Sequence, residues 1–533
     1  MRTSRLFYGA AVAALLITGL LLRIIRFPHG IPPGFNQDEA SSAYESFALL
    51  MTGADRWGNR WPAYFPSWGS GQNVLLAYLT IPVVRVLGLT VFAARLVPLV
   101  LGVLSLPLFY SCLRPVGRYA ALLGLLVLAV VPWHILASRW ALESGILPFW
   151  MLLGCTLLSR ALAQPSRLRI IFALVPFALA LYAYGTTVVV LPLFFGGLAV
   201  VFWRPLRARW QWWVGALAVF GLVATPFLLY FLENFLLHRN LAWTDHLFFS
   251  TPLLVANRLD QVNGGGGWQV FFANVDFAVR GFNDGSSYNL VPGFKLLMSG
   301  ALPLAFIGVL LAGQSVRRYW RHQVALSAGD TVLIVFAAWA LATLPLFLSV
   351  TVNVNRFNHF YLPCLALAAV AVARLTQAFV VPSARRAVQT AVALVWLVEC
   401  AIPIKTYFST YPSSGIRWEF YTGLEEAFQA AQALPAGPVY VTDQVNLYYM
   451  YTAFFTRYPP ADFQRDVVYH PAGGAYYVES LGRYRFNFNG LPPGQPYGYI
   501  VRPGSALGEG DSERHAIYTT DGWEVGTARR AGQ

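Results

Sequence analysis

The hydrophobic positions of the chain fall into long, nearly continuous runs rather than into alternating patterns. Eleven of these runs approach 20 residues, the length at which a helix crosses roughly 30 Å of hydrocarbon. The candidate spans are 6–27, 92–112, 119–137, 145–163, 168–185, 186–203, 210–232, 293–313, 331–352, 359–380 and 387–404. The pattern predicts a polytopic α-helical membrane protein with about 11 transmembrane helices.

Composition supports the membrane assignment. The chain is 57% hydrophobic and 12% charged, whereas soluble domains average roughly 25% charged residues. The net charge of +14 would suit nucleic acid, but the basic residues lie in short loops between apolar runs, so no nucleic-acid binding is predicted. The four cysteines have no CxxC spacing, which predicts neither a disulfide framework nor a cysteine metal site.

The loop charges orient the chain and decide one ambiguous segment, 71–89. If that segment does not cross, thirteen arginines of the short loops face the cytoplasm against one acid, Asp330. If it crosses, the same arginines face outward, against the positive-inside rule. We therefore predict that 71–89 lies at the outer interface. Arg23 and Arg26 at the outer end of the first span oppose the rule and are expected to snorkel to the interface.

The predicted domains follow from this topology. Residues 1–404 form the transmembrane domain, with outer loops 28–91 and 233–292, the latter only about 60 residues long. From residue 405 to 533 no membrane-length apolar run occurs. Amphipathic and strand-like patterns in this tail predict a small extracytoplasmic α/β domain.

The scarce acids are concentrated on the predicted outer face: Asp38, Glu39 and Glu45 after the first span, and Glu143 after the third. Glu45 lies seven residues after Asp38, on the same face of a helix. One interpretation makes Asp38 the helix N-cap and Glu39 a first-turn acid that offsets the helix dipole. The other makes a carboxylate beside a membrane cavity a general base.

Basic residues occupy the same face. Arg95 and Arg356 begin predicted spans, where each is either an interfacial anchor or a guanidinium placed for a lipid phosphate. Arg139 is spaced to pair with Glu143. His134 and His359 lack a second ligand at a metal spacing, so no metal site is predicted. Asp276 and Asp284 fit either substrate contacts or turns.

Four segments carry a family resemblance: NQDEASSAYE, FAARLVPLVLG, PWHILASRWALE and NRFNHFYLPCLALAA, in this order and all next to outward loops. With them the chain resembles the C-type glycosyltransferase superfamily over roughly residues 5–404. The branch it resembles contains bacterial protein O-mannosyltransferases and lipid A aminoarabinose transferases, which use polyprenyl-phosphate sugars.

The resemblance implies an inverting transferase that moves a sugar from a polyprenyl-phosphate carrier to an acceptor. Asp38 would activate the acceptor hydroxyl, with Glu39 beside it, and Glu143 stands where the family more often has Asp. Arg95 would support the cavity or the donor phosphate, and Arg356 would bind that phosphate. The resemblance further places four residues around the substrate cavity: Glu45, Arg139, His359 and Tyr361.

The implied setting is a bacterial plasma membrane, with a multi-pass chain and an active site that faces outward. The partners are the lipid-linked donor, membrane lipids and an acceptor that is a protein, a lipid or a polysaccharide. No cofactor is certain, although the resemblance allows a divalent cation. Three alternatives stay open: a flippase for lipid-linked saccharides, an oligosaccharide ligase or polymerase, and a non-catalytic envelope assembly protein.

Overall fold

Apolar runs form helices in the structure because a helix satisfies every backbone hydrogen bond within its own segment, as a lipid environment requires. The structure is a computed structural model that describes residues 2–256, 267–445, 447–486, 495–507, 512–520 and 522–530. Of residues 2–5, 512 and 530 it describes the backbone alone. The chain divides into two compact units.

The first, which we call the helical unit, comprises Met1–Phe27, Pro98–Leu228 and Leu259–Tyr411. Its helices are Arg2–Ile24, Arg118–Val130, Pro132–Ala137, Leu147–Ala163, Arg167–Ala173, Val175–Ala183, Thr187–Val201, Trp203–Ala208, Trp268–Val279, Ala301–His322, Ala328–Ala342, Leu346–Ser349, Asn358–Leu375 and Pro382–Phe408. Two further helices, Val91–Leu113 and Trp210–Phe231, continue from one unit into the other. Single 3₁₀ turns occupy Glu143–Ile146, Val354–Phe357 and Thr376–Ala378.

The helix Asn358–Leu375 forms the centre of the helical unit. Its run of alanines gives it a small cross-section, so neighbouring helices can approach closely. A Cβ added at Gly308 would lie 2.8 Å from the Cβ of Leu367, which shows how near the helix Ala301–His322 comes. At its beginning, Asn358 accepts a hydrogen bond from Trp133 Nε1 at 2.9 Å and donates one to the Ser144 carbonyl at 3.0 Å.

The described residues contain seven helices that are long and apolar enough to cross a membrane. They are Leu6–Ile24, Val91–Leu113, Glu143–Ala163, Trp210–Leu237, Ala328–Ser349, Val354–Ala378 and Pro382–Phe408. The chain is therefore a polytopic helical membrane protein, while the count of eleven spans stays a prediction. Several predicted spans are divided, as at Val131, where one helix ends before Pro132 begins the next.

The segment 71–89 contains the helix Leu75–Leu87. Its 13 residues extend about 20 Å, less than the roughly 30 Å of hydrocarbon in a bilayer. This length supports the interpretation that the segment does not cross, which stays a prediction.

The second, which we call the loop-and-tail unit, comprises Pro28–Val97, Leu229–Arg258 and Pro412–Gln533. It begins with the helices Gln37–Thr52 and Leu75–Leu87 and a π-helical turn, Leu232–Leu237. The segment Leu229–Arg258 also has a short 3₁₀ turn at Thr244–His246. The tail adds the helices Ile416–Glu419, Leu424–Ala430, Tyr448–Phe455 and Pro460–Asp466, with a short 3₁₀ turn at Ala431–Ala433. The predicted boundary at 404/405 separates membrane from tail and stays a prediction.

Seven strands of the tail form one mixed sheet: β1 (Val439–Val441), β2 (Val467–Ala472), β3 (Ala475–Leu481), β4 (Tyr484–Arg485), β5 (Pro496–Val501), β6 (Ser512–Thr519) and β7 (Glu524–Arg530). Their order is β2-β3-β4-β1-β5-β7-β6, with β1 parallel to β4 and β5 and the other neighbours antiparallel. One face is covered by Tyr440, Tyr497, Tyr499, Val501 and Ala528. The tail thus has the α/β secondary structure that its pattern predicts.

Candidate functional site

The helix Gln37–Thr52 carries the Asp-Glu pair, and a capping box fixes its start. The Asn36 side chain accepts from the Asp38 backbone N–H at 3.0 Å, and the Glu39 carboxylate accepts from the Asn36 N–H at 3.0 Å. The interpretation of Asp38 as N-cap is therefore wrong. Asn36 caps the helix because its extended backbone (φ −90°, ψ 155°) directs its amide oxygen back at the first turn.

Glu39 has a second contact, with Arg95. The two side chains are fully buried and form a bidentate pair, Nε to Oε1 and Nη2 to Oε2, both at 2.7 Å. The other three N–H groups of Arg95 donate to the carbonyls of Pro28, Pro32 and Gly34. All five guanidinium donors are thus directed into the first outer loop. This favours the supporting role of Arg95 over phosphate binding, which stays a prediction.

Glu45 occupies a similar position two turns later. Its carboxylate accepts from Arg56 Nε at 2.6 Å and from the Arg56 backbone N–H at 2.9 Å, and both side chains are fully buried. Arg56 also donates to Ser41 Oγ. These contacts hold the loop that contains Arg56 against the helix Gln37–Thr52. They do not test the substrate-cavity role of Glu45, which stays a prediction. Sequence analysis missed Arg56, whose only signal is a basic residue inside a polar loop.

Asp55 is the third buried acid in this loop, after Glu39 and Glu45. Its carboxylate accepts from the backbone N–H groups of Trp57 and Asn59 at 2.9 and 2.8 Å and from the Asn59 side chain. Burial, followed by the nearby charge of Glu45, raises the pKa of Asp55 to about 7. It therefore gains or loses a proton within an ordinary working range of pH.

Asp38 differs from these acids because its side chain is only half-buried. It occupies the second helical position of Gln37–Thr52, where the helix N-terminus favours a negative charge. Its backbone carbonyl accepts from Gln72 Nε2 at 3.3 Å. The helix start therefore holds Asp38 in place, and its neighbour Glu39 is the acid that closes the cap.

A tyrosine of the tail lies within electrostatic range of these acids. Burial, then Tyr421, and then the charges of Asp38 and Glu39 raise the pKa of Tyr451 well above its usual value. Tyr451 is 1% exposed, and its hydroxyl has no hydrogen-bond partner among the described residues. The patterns of the tail predict its secondary structure only and do not single out this residue.

The tail also packs against the first outer loop within the same unit. The ring of Phe35 lies 4.6 Å from that of Phe454, and Tyr44 donates to the Tyr458 carbonyl at 2.8 Å. The backbone N–H of Phe35 donates to the Phe420 carbonyl at 2.6 Å. The helix that carries Asp38 is therefore held from both sides by tail residues.

The remaining predicted site residues belong to the helical unit, and Arg139 is the most enclosed. It is fully buried and donates to the carbonyls of Arg23 and Ile25 at 2.7 and 2.6 Å. Its guanidinium carbon lies 5.7 Å from the ring centre of Tyr407. Arg139 thus satisfies carbonyls at the end of the first helix; its roles in the cavity and in pairing with Glu143 stay predictions.

Arg23 corrects an expectation. It does not snorkel; it is fully buried and hydrogen-bonded to the carbonyls of Gly19, Leu128 and Ala129 and to His134 Nδ1 at 2.6 Å. The helix Arg118–Val130 ends at this point, and its last carbonyls lack helical partners. The buried guanidinium donates to these carbonyls instead of reaching the interface.

Arg356 lies in a turn that Asp284 organises. The Asp284 carboxylate accepts from the Val354 backbone N–H at 2.8 Å and from Asn289 Nδ2 at 2.9 Å. Tyr361 donates to the Val354 carbonyl at 2.9 Å. Arg356 itself is half-buried and donates to a nearby carbonyl, that of Thr351, at 3.1 Å. Asp284, left open by the sequence, is thus a turn-ordering acid, whereas Asp276 forms an exposed pair with Arg280.

His359 and Glu143 complete the predicted set. His359 is fully buried; Trp339 Nε1 donates to its Nδ1 at 3.3 Å, and its Nε2 lies 3.0 Å from Thr187 Oγ1. Glu143 is 2% exposed and begins a 3₁₀ turn. In the part of the chain that the structure describes, no group of three or more His, Cys, Asp or Glu side chains could hold a metal ion.

The fold is similar to solved structures of membrane enzymes. ArnT from Cupriavidus metallidurans bound to undecaprenyl phosphate superposes with a TM-score of 0.55 at 15% identity, over 98% of this chain and 98% of that chain. Its apo state gives 0.52 at 14% identity, with the same coverage. This chain has the C-type glycosyltransferase fold.

A third structure of this fold is the apo oligosaccharyltransferase of Archaeoglobus fulgidus, with a TM-score of 0.51 and 14% identity. The match covers 85% of this chain but 64% of that one, so the chain spans less than two thirds of its length. No family profile matches the chain, and no curated protein sequence matches it. At these identities the likeness concerns the C-type fold, which agrees with the resemblance in the sequence.

Proposed function

We propose that the protein is an inverting glycosyltransferase of the plasma membrane. It moves a sugar from a polyprenyl-phosphate carrier to an acceptor hydroxyl on the extracytoplasmic face. The observation that carries the proposal is the position of Asp38: a half-buried carboxylate in the first turn of a helix whose start is fixed by Asn36, Glu39 and Arg95. The C-type fold, shared with an ArnT bound to undecaprenyl phosphate, supports the choice of donor.

The division of roles between the two adjacent acids supports Asp38 as the base. Glu39 is fully buried against Arg95, so taking up a proton would cost it that ion pair. Asp38 keeps a more exposed side chain beside the positive end of the helix dipole. Its carboxylate accepts the proton of the acceptor hydroxyl as the hydroxyl oxygen bonds to the anomeric carbon. The carbon–oxygen bond to the phosphate breaks at the same time, and the polyprenyl phosphate leaves with both bonding electrons.

The phosphate already stabilises the leaving charge, so the protein needs a cation for it rather than a strong acid. We assign this cation to Arg356, which is half-buried in a turn held by Asp284. Arg95 is a positioning residue in this proposal, because its donors hold the first outer loop together. Glu143 is assigned as a second acid of the site, and Arg139, His359, Tyr361 and Glu45 as residues that shape it.

The first experiment measures transfer of radiolabel from polyprenyl-phosphate hexoses by the purified full-length protein in liposomes. A membrane extract of the source cells supplies acceptors. Wild type is compared with Asp38→Asn, and Asp245→Asn serves as a control in the same unit because Asp245 is exposed. We expect Asp38→Asn to lower transfer about 10²- to 10⁴-fold with donor binding retained, and Asp245→Asn to leave it unchanged. Equal transfer by Asp38→Asn would remove the base assignment.

Two other functions give different results in the same assay. The likeness to an oligosaccharyltransferase favours transfer of a preassembled glycan as the second candidate, and the mass of the labelled product separates it from single-sugar transfer. A flippase would move label across the vesicle bilayer without forming a product. A divalent cation requirement is tested in parallel by chelation, with restored activity on adding the metal as the positive result.

A further inference from the structure

A cavity of about 500 Å³ opens among helix ends of the helical unit. One wall is the end of Val91–Leu113 with Arg114, a second is the end of Leu147–Ala163 with Arg160, and Arg169 follows the latter helix. The residues that line this cavity do not include any that we assign to the catalytic site. On the topology predicted from the sequence, its three arginines face the cytoplasm.

Arginine side chains form the rim of the cavity, and small polar side chains form its floor. Arg114, Arg160 and Arg169 are exposed, whereas Thr156 and Ser159 are buried at 1% and 3% exposure. The Ser159 hydroxyl is buried and has no hydrogen-bond partner among the described residues. This hydroxyl, in the wall of a cavity lined by three guanidinium groups, is a further donor for a ligand there.

Among the described residues, none that lines the cavity is acidic. The nearby acid Asp330 accepts from the hydroxyls of Ser315 and Ser327 at 3.0 and 2.6 Å and lies 3.4 Å from Arg374. The negative charge of Asp330 is therefore balanced by residues that do not line the cavity. Three positive charges around one cavity produce a positive electrostatic potential that attracts an anion.

The cavity wall is fixed in place. A Cβ added at Gly329 would lie 2.9 Å from the Pro115 carbonyl oxygen, so the helix Ala328–Ala342 is in direct contact with the turn after Arg114. Arg169 is held by the backbone carbonyl of Gln164 at 2.9 Å. The arginines thus lie on packed helix ends and turns rather than on a mobile loop.

We propose that this cavity binds a phosphate-bearing anion. Guanidinium groups match phosphate oxygens by charge and geometry, and the buried serine supplies a further donor below them. The volume exceeds that of about ten water molecules at roughly 30 Å³ each, so the site accepts a phosphate together with an attached polar group. Basic pockets between helices on a cytoplasmic side are suited to anionic lipid head groups, and a soluble phosphate is the other source of the same chemistry.

Native mass spectrometry of the full-length protein in neutral detergent tests the proposal, with phosphatidylglycerol as the probe. The combined variant Arg114→Gln/Arg160→Gln/Arg169→Gln is compared with Arg317→Gln/Arg321→Gln/Arg386→Gln. The control removes the same charge from exposed arginines outside the cavity that share its predicted side. We expect the first variant to bind the lipid on the order of 100-fold more weakly than wild type, and the control to bind nearly as well.

Equal loss in both variants would mean that net charge alone retains the lipid, and unchanged binding in the first would mean that the cavity takes no anion; either result overturns the proposal. Ser159→Ala keeps all charges and is expected to weaken binding several-fold. It also tests the site if the triple variant does not fold. Displacement of the lipid by millimolar inorganic phosphate would assign the site to a soluble phosphate, and failure to displace it would assign the site to the lipid.

Discussion

Arginine has opposite surroundings in two regions of this molecule. Two buried guanidinium groups that contact the first outer loop each face a carboxylate: Arg95 faces Glu39, and Arg56 faces Glu45. Three arginines line the cavity of the helical unit, and no carboxylate of the described residues lines it. A guanidinium that is paired with a carboxylate inside the fold stabilises a loop. One that lines a cavity without such a carboxylate is available to a ligand. The residue type alone does not distinguish the two.

The same comparison separates the acids of the first outer loop. Glu39 and Glu45 are fully buried against arginines, whereas Asp38 is half-buried and carried by the same helix. The two glutamates are structural partners that hold the helix start and the following loop. Asp38 is the acid that this arrangement holds in position without enclosing it, which is what a general base requires.

The largest effect is expected from breaking the Glu39–Arg95 pair. Glu39→Gln leaves the guanidinium buried and charged without its carboxylate, and breaking such a buried pair costs about 3–5 kcal/mol. Asp276→Asn is the matched control, because Asp276 and Arg280 form an ion pair whose side chains are 56% and 74% exposed. That pair contributes at most about 0.5 kcal/mol. Thermal unfolding in detergent measures both variants, and similar small shifts would show that Arg95 does not depend on Glu39.

A smaller effect is expected where the first outer loop meets the tail. Gly34 has φ +74°, and a Cβ there would lie 2.1 Å from the Phe420 carbonyl oxygen, so the backbone must move to admit Ala. Gly88 has nearly the same φ (+71°), with ψ 176° and open space around it. Gly34→Ala should therefore lower the free energy of unfolding by about 1–3 kcal/mol more than Gly88→Ala, which adds only backbone strain of about 1–3 kcal/mol.

The difference between the two glycine variants isolates the contact from the backbone strain. The Gly34 carbonyl also accepts from Arg95 Nη2 at 2.9 Å, so the movement would loosen the arginine that faces Glu39. Equal melting temperatures for Gly34→Ala and Gly88→Ala would mean that the close approach to Phe420 contributes nothing.

Much of the fold follows from the sequence because membrane helices have a strong local signal. Length and apolarity are properties of one segment, so runs such as 6–27 and 387–404 predict helices without knowledge of their neighbours. The division of a run is harder to predict. The helix that ends at Val130 does so because Pro132 begins the next one, and this interruption lies inside a continuously apolar stretch.

Less of the candidate site follows from the sequence. The position of Asp38 after the first span is local and could be identified, but the partner of Glu39 is 56 residues away and that of Glu45 lies in the following loop. Tyr451 is more than 400 residues from Asp38 in the chain, yet the charge of Asp38 acts on it in the folded protein. Burial and long-range pairing decide which charged residue is structural, and the periodicity of one segment does not identify a partner in another.

Asp55 provides the smallest expected effect and sharpens the comparison. The charges that act on it are those of Glu45 and Arg56, which already form an ion pair with each other. Its pKa is about 7 in the folded protein against 3.8 in the unfolded chain. Between these two pKa values the folded state therefore binds the proton more tightly than the unfolded chain does. The stability of the protein falls as the pH rises through this range. The loss between pH 5 and pH 7 amounts to about 2 kcal/mol for this pKa difference.

Melting temperatures at pH 5 and pH 7 in one detergent measure this term, with Asp55→Asn beside wild type. The amide cannot ionise, so the variant should lose less stability than wild type between the two pH values. Asp245→Asn changes an exposed aspartate in the same unit and should keep the wild-type difference. If Asp55→Asn also keeps it, then the charge of Arg56 holds Asp55 ionised throughout this range, and one arginine serves two carboxylates in this loop.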